Sequence, residues 1–409
     1  MSSRAISPTS PLYVVMLGLL SALPPFGTDA GLPGLVSLQA DLGVVMAEAT
    51  RTLTIFMLGF SIGPVLFGPL SDRFGRKPIL LLGVFVFSCA ALGCALSDSI
   101  GTLLFMRFVQ GVGAGAAASL PAAIVRDVYH DELALSRQSL VALVNGVAPL
   151  IAPLLGAAVL TFAGWRAVYG ALAVLGIAIL LMAAVGYAET APRRPDPVRR
   201  SVLHTAMVGY RAVLGDRRYL AATGLLAATF GVMFSYITGS SAVFMEQLGA
   251  TPALYSLLFA CTASGTILGA ASNSRLSRRF GANRVLATAV IGNVVVALAL
   301  LTVGGLGVRS MALTAGLVVL SNLCAGIIMP TATHRGLRAL GHVAGSAAAL
   351  QRCMQMVSAS VFGTLVGLIG GQSLVAMATS MTVASLLAVG LWLAGREAPQ
   401  AAATAPRAG

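Results

Sequence analysis

Twelve apolar runs, each long enough to cross a bilayer as a helix, constrain this chain more than any other feature of its sequence. Crossing about 30 Å of hydrocarbon takes about 20 helical residues. Runs of that length lie near 11–33, 51–70, 79–97, 101–122, 138–161 and 166–187, and again near 220–243, 254–273, 285–305, 311–332, 345–368 and 373–394. Lipid offers no hydrogen bonds to the backbone, so each run must satisfy its own amides as a helix. The chain therefore reads as an all-α membrane protein of twelve transmembrane helices in two six-helix bundles. Composition agrees: 57% of the 409 residues are hydrophobic and only 10% are charged, whereas a soluble domain carries about a quarter.

The net charge of +13 does not read as a nucleic-acid footprint, because the basic residues are spread over loops between spans instead of gathered on one solvated face. Twenty-one of the twenty-six fall in loops on the side of the N-terminus, and only Arg51, Arg166 and Arg309 on the other. The positive-inside rule then predicts that both termini are cytoplasmic. Arg107 and Arg352 are left over, and both lie within apolar runs. Residues 11–33 are long for the apolar core of a signal peptide and lack a cleavage site, so they count as the first span. The five cysteines sit inside apolar runs without CxxC spacing, and the four histidines, expected in loops, show no HExxH spacing. Neither pattern predicts a disulfide or a metal site.

Three prolines and seven arginines interrupt the hydropathy between 188 and 219. The expected organisation is a first bundle at 1–187, a cytoplasmic linker at 188–219, a second bundle at 220–394 and a tail at 395–409. The segment 202–214 reads either as a short helix on the membrane surface or as solvated linker. The halves also echo one another: Leu42-Gly43 recurs as Leu248-Gly249 and Arg73-Phe74-Gly75 as Arg279-Phe280-Gly281, each 206 residues on, while Pro121 and Arg126 recur as Pro330 and Arg335. Such spacing predicts two related bundles facing a central cavity.

Several motifs carry chemistry. GPLSDRFGRKP at 68–78 combines Gly68 and Gly75 for a tight turn and close packing with Asp72, expected to accept bonds from a helix N-terminus, and with Arg73, Arg76 and Lys77 as anchors at the membrane boundary. RFVQGVGAG at 107–115 puts Arg107 inside the membrane region beside Gln110 and a run of glycines that permit close helix contact. NGVAPLIAPLLG at 145–156 places Pro149, Pro153 and Gly156 where they would bend or thin a helix at the junction of the halves. Asp29 is the one acid within an apolar run. A charge there costs roughly 2.5–3.5 kcal/mol on insertion scales, which points to proton exchange, with a carboxylate at the outer mouth as the plainer alternative.

GPLSDRFGRKP, its degenerate copy GAASNSRLSRRFGANR at 269–284 and RFVQG together resemble the major facilitator superfamily, over nearly the whole chain. Asp29 followed by LPGL, AIVRDVY at 123–129 and GHVAGSAAAL at 341–350 resemble its bicyclomycin and chloramphenicol resistance (Bcr/CflA) branch of drug exporters. That resemblance implies proton-driven antiport of amphiphilic drugs across a bacterial inner membrane by a self-sufficient monomer, with protons, drug and lipid as partners and no cofactor. It also implies that Asp29 is the proton-linked carboxylate, that Arg107 supports it, and that Asp72, Arg76 and Asp127 help to close the cytoplasmic side. Ser21 stands where certain multidrug relatives carry a second acid, and Pro64 where the branch often has glutamine. Polar or aromatic residues in cavity-lining spans are Phe26, Asn145, Phe234, Tyr236, Asn322, Gln351 and Gln355, with Gln110 beside Arg107. The competing reading is proton-coupled transport of a metabolite such as a sugar, amino acid or siderophore, for which several clustered intramembrane charges would speak. An enzyme is not expected, since the spans lack catalytic pairs, and no GxxxxGK[ST] loop is present.

Overall fold

The computed structural model describes residues 6–190, 202–338, 344–369 and 373–395. The start of GHVAGSAAAL, residues 191–201 of the interval between the halves and the tail from 396 lie outside the described residues. The first half comprises α1 (Pro11–Asp29), a 3₁₀ turn (Leu32–Gly34), α2 (Leu35–Leu42), α3 (Met46–Phe74), α4 (Arg76–Ala95), α5 (Ile100–Ser119), α6 (Pro121–Val128), α7 (Asp131–Phe162) and α8 (Trp165–Gly186). After α9 (Val202–Leu214), the second half comprises α10 (Arg217–Ser241) with a π segment (Ala242–Gln247), α11 (Pro252–Phe280), α12 (Ala282–Gly305), α13 (Met311–Arg338), α14 (Ala344–Leu368) and α15 (Leu374–Ala394). Twelve of these helices are long; eleven, among the described residues, contain a stretch long and apolar enough to cross a membrane. The twelfth, α14, has 25 residues but carries Gln351, Arg352 and Gln355 within its span.

Local chemistry sets the helix ends. The side chains of Ser10, Ser99, Thr251 and Ser373 each accept a backbone N–H at the start of α1, α5, α11 and α15, satisfying donors that lack an intrahelical partner. Asp216 accepts two such bonds, from Arg218 and Tyr219, at the start of α10. Prolines occupy the first turn of α1, α6 and α11, where their missing N–H costs nothing. Histidines expected in loops partly fall in helices: His334 is in α13 and His204 in α9. Large apolar side chains such as Phe85, Val174, Leu181 and Leu386 point outward, as lipid-facing surfaces require. Cys89 and Cys261 do so too, whereas Cys94 and Cys324 are buried.

The internal repeat is structural. Glycines bring α3 and α5 into backbone contact: a Cβ at Gly59 would lie 2.2 Å from the Phe108 carbonyl oxygen, and one at Gly63 would lie 2.2 Å from the Gly115 carbonyl carbon. At the same 206-residue spacing, a Cβ on Gly265 would lie 2.5 Å from the Val319 oxygen and one on Gly269 2.2 Å from the Leu323 oxygen, at the α11–α13 interface. The echo seen in sequence also matches in conformation. Gly43 and Gly249 both have positive φ, 63° and 72°, as do Gly75 and Gly281, 98° and 85°.

The halves meet along two seams, α3 against α14 and α7 against α11. In the second seam the Ser256 hydroxyl donates to the Pro153 carbonyl at 3.0 Å. α7 runs unbroken through Pro149 and Pro153, each of which deletes the amide that would have bonded the carbonyl four residues earlier. Gly156 lets α7 approach the chain just beyond α1: a Cβ there would sit 1.9 Å from the Ala30 oxygen.

Candidate functional site

A cavity of about 2810 Å³ lies between the halves, with walls from both. Its deep end holds Thr28, Asp29, Tyr236 and Phe259, all buried; its other end holds Asp72, Arg73 and Arg126, all exposed. The cavity therefore opens at the face that carries the arginine-rich turns. Set among small and aliphatic residues, its lining includes the aromatic and sulfur side chains of Phe60, Phe230, Phe234, Met57, Met233 and Met356. Methionine in such a wall is adaptable and polarisable, and suits occupants of varied shape.

Asp29 is the last residue of α1, four residues beyond the Pro24-Pro25 pair, and is 4% exposed. Both prolines remove amides from the helical ladder, and the Thr28 hydroxyl donates to the Pro24 carbonyl at 3.0 Å. Among the described residues no donor or cation bonds the Asp29 carboxylate. Tyr236 stands on the wall that the second half contributes. The Tyr236 hydroxyl is hydrogen-bonded to Thr262 at 2.6 Å, and its ring stacks on Phe259 at 5.8 Å between centroids. Asn322 Nδ2 donates to the Thr262 carbonyl at 2.9 Å.

Arg107 does not pair with Asp29. It is fully buried in the first half, where Nη1 donates to the Gly27 carbonyl at 2.8 Å and to Gln110 Oε1 at 2.6 Å, and Nε donates to the Thr52 carbonyl at 3.1 Å. Its guanidinium lies over the Phe56 ring at 4.4 Å and near that of Tyr169 at 5.4 Å. Carbonyl dipoles and ring faces thus hold this cation without a carboxylate. It ties α5 to α1 two residues before Asp29 and fixes the helix that presents the acid.

The turn between α3 and α4 departs from expectation in one respect. Asp72 does not cap a helix; it pairs with Arg76 Nη1 at 2.5 Å. The N-terminus of α4 is capped by Glu189, whose two oxygens accept the backbone N–H of Arg76 at 2.8 Å and of Lys77 at 3.0 Å. Glu189, three residues past the end of α8, takes these amides, while Asp72, two residues before the end of α3, pairs with the guanidinium. Arg76 Nε also donates to Asp127 at 2.9 Å and Nη1 to Ser71 at 2.6 Å. Lys77 Nζ donates to the Ala184 carbonyl at 2.8 Å. Arg73 lies over Phe74 at 5.2 Å, and Gly68 lines the cavity mouth. Among the described residues these contacts lie within the first half, apart from Glu189 at the head of the linker, so with the cavity open the cluster braces the first bundle.

Of the side chains expected on the cavity wall, Asn145, Phe234, Tyr236 and Asn322 stand there, together with Ser21, Pro64 and Pro149. Phe26, Gln110, Gln351 and Gln355 do not. Phe26 packs into the apolar core, Gln110 is the partner of Arg107, and Gln351 is buried against Gly336 of α13. Gln355, one turn further along α14, is likewise buried. The cavity face of α14 is instead Gly345, Ala348, Ala349, Arg352 and Met356, a helical stripe of small residues around one arginine. That stripe is readable in sequence as i, i+3, i+4 and i+7. Polarity alone pointed to the glutamines.

Two pseudo-symmetric helical halves around a central cavity open at one face define a polytopic membrane transporter of small molecules, not an enzyme. Residues 17–364 match the Major Facilitator Superfamily, and the chain belongs to that family. It is 30% identical over 366 residues to a bicyclomycin resistance protein homolog of Haemophilus influenzae, covering 87% of this chain and 88% of that one. It is 29% identical over 360 residues to a chloramphenicol resistance protein of Pseudomonas aeruginosa, covering 86% and 83%. The fold matches a bacterial homolog of the human lysosomal transporter Spinster, solved in an inward-facing and occupied conformation, with a TM-score of 0.71 at 16% identity, over 96% of this chain and 99% of that one.

Proposed function

We propose that this protein exports amphiphilic drugs, of the chloramphenicol or bicyclomycin kind, across the bacterial inner membrane in exchange for protons. The observation that carries this reading is Asp29: a buried carboxylate without a protein partner among the described residues, on the wall of a large aromatic and methionine-lined cavity. A carboxylate withdrawn from water and left unpaired exchanges its proton according to what stands beside it, water or an apolar occupant. Drug and proton then compete for one place, and that competition couples their fluxes.

In this proposal residues 1–187 and 220–394 rock about the cavity, with 188–219 as the linker and 395–409 as a tail, both cytoplasmic together with the termini. The exposed end of the cavity is then its cytoplasmic mouth. Arg107 positions α1, and the Asp72, Arg76 and Asp127 cluster, with Arg73, Gly75 and Lys77, stiffens the first half for its swing. Pro149, Pro153 and Gly156 supply the yielding seam on the opposite side. The monomer is the working unit, and no cofactor is required. One proton crossing 100 mV releases about 2.3 kcal/mol, which sustains roughly a fifty-fold gradient of a neutral solute. The relatives named for bicyclomycin and chloramphenicol resistance support the drug reading over that of a metabolite.

The test is drug susceptibility of an efflux-deficient bacterium expressing the wild type or Asp29→Asn at matched membrane levels. Protection against chloramphenicol-like or bicyclomycin-like compounds is expected from the wild type and should fall at least tenfold in the variant. Protection that survives the substitution removes Asp29 from coupling. Its absence with the wild type redirects the reading to a metabolite.

A further inference from the structure

The cavity holds charges of opposite sign on its two walls. In the first half, inward of the mouth, the lining charge is Asp29; from the second half, among the described residues, Arg352 is the one charged residue that lines it. Arg352 sits eight residues beyond the start of α14, about 12 Å along the helix axis, and its side chain is exposed to the cavity. Among the described residues it has no ion pair, hydrogen bond or ring contact. The remaining arginines at the cavity are accounted for otherwise. Arg76 is held by Asp72 and Asp127, Arg73 lies over Phe74, and Arg126 stands in solvent at the mouth. Small residues flank Arg352 along its stripe, Ala348 and Ala349 among them, and leave its planar fork of donors open to an occupant. A guanidinium in such a position is built for the oxygens of a carboxylate, sulfonate or phenolate.

From this geometry we infer that Arg352 recognises an anionic group, so that the transported amphiphiles include acidic ones whose apolar body rests on the Phe230, Phe234 and Met356 side of the cavity. The inference rests on the transporter reading of the same cavity and narrows its substrate class.

Fluorescein and rhodamine 123 share a xanthene scaffold and differ in charge, anionic against cationic, and they serve as probes. Binding to purified full-length protein at neutral pH is measured by fluorescence anisotropy for the wild type, Arg352→Gln and Arg352→Lys, with chloramphenicol as a neutral competitor. The expected result is tighter binding of fluorescein than of rhodamine 123, at least a tenfold loss of fluorescein affinity in Arg352→Gln, substantial recovery in Arg352→Lys, and less than a threefold change for chloramphenicol. Equal losses for all three compounds in Arg352→Gln would indicate a structural role and overturn the inference. So would unchanged fluorescein affinity, or no fluorescein binding to the wild type. Proteoliposomes with an imposed proton gradient separate the two readings. If fluorescein binding depends on Arg352 but no compound is transported, proton-driven export fails while the anion site stands.

Discussion

The turns joining α3 to α4 and α11 to α12 have one backbone and two chemistries. Each ends a 29-residue helix on a glycine of positive φ, and each lays an arginine over the following phenylalanine, Arg73 on Phe74 at 5.2 Å and Arg279 on Phe280 at 5.3 Å. Beyond the glycine they part. Arg76, held by Asp72, Asp127 and Ser71, has Ala282 at its place in the copy. Lys77 has Asn283, which accepts a hydrogen bond from Arg335. The conformation is a requirement of the fold, and the charge is an addition made in one half. The same contrast runs inside the membrane, where Asp29 falls on Ser235 at the 206-residue spacing. Ser235 is fully satisfied by the Gly231 carbonyl and the Ser380 hydroxyl, each at 2.8 Å, and Asp29 is not.

The largest effect expected from breaking this contrast is that of Arg76→Ala, which makes the first turn resemble the second. It leaves Asp127, whose side chain is 15% exposed, without its cation, at a cost of about 2–3 kcal/mol. The thermal midpoint of the purified protein should fall by several degrees, and Arg76→Ala combined with Asp127→Ala should recover part of the loss. A midpoint unchanged in the single variant would show that the cluster contributes nothing to stability in the open-cavity state.

Much of this was readable from sequence, for identifiable reasons. Span positions follow from apolar length, and the repeat follows from glycines that only a left-handed turn or a backbone contact requires, such as Gly43, Gly75 and their copies. Asp29 stands out because an acid in an apolar run is expensive. What escaped is what depends on helix rotation or on distant segments. Gln351 and Arg352 are adjacent, yet one is buried against α13 and the other faces the cavity, a difference of one 100° step. Glu189 is an ordinary acid at the end of a span until α8 returns it to the start of α4. That Arg107 reaches α1 through the Gly27 carbonyl and α3 through that of Thr52 also depends on how three helices pack, which the sequence of α5 alone does not display.

A sharper version of the comparison sets Gly75→Ala against Gly281→Ala. Both put a side chain in a conformation it resists, at about 1–3 kcal/mol each. Around Gly281 nothing lies within 4 Å of the new Cβ, whereas at Gly75 it would meet Glu189 Oε2 at 2.5 Å. That carboxylate can retreat only by surrendering its two bonds to the α4 amides. Gly75→Ala should therefore lower the thermal midpoint more than Gly281→Ala, by the equivalent of about 1 kcal/mol further. Equal effects would mean that Glu189 yields freely.

The smallest effect expected is that of Glu189→Gln, and it isolates the cap from the glycine. The amide keeps one acceptor oxygen for the α4 N-terminus but loses the charge that favours the positive end of the helix dipole, worth about 0.3–1 kcal/mol. The shift should shrink as salt is raised, since the site is exposed and the interaction is screened over about 10 Å at 0.1 M. Glu189→Ala removes the obstacle as well as the cap. In that background Gly75→Ala should cost no more than Gly281→Ala does in the wild type, because only backbone strain is left. A persistent excess would place the difference between the two turns in the backbone itself, whose ψ values at Gly75 and Gly281 are 152° and 133°, and not in the charge that distinguishes the first half.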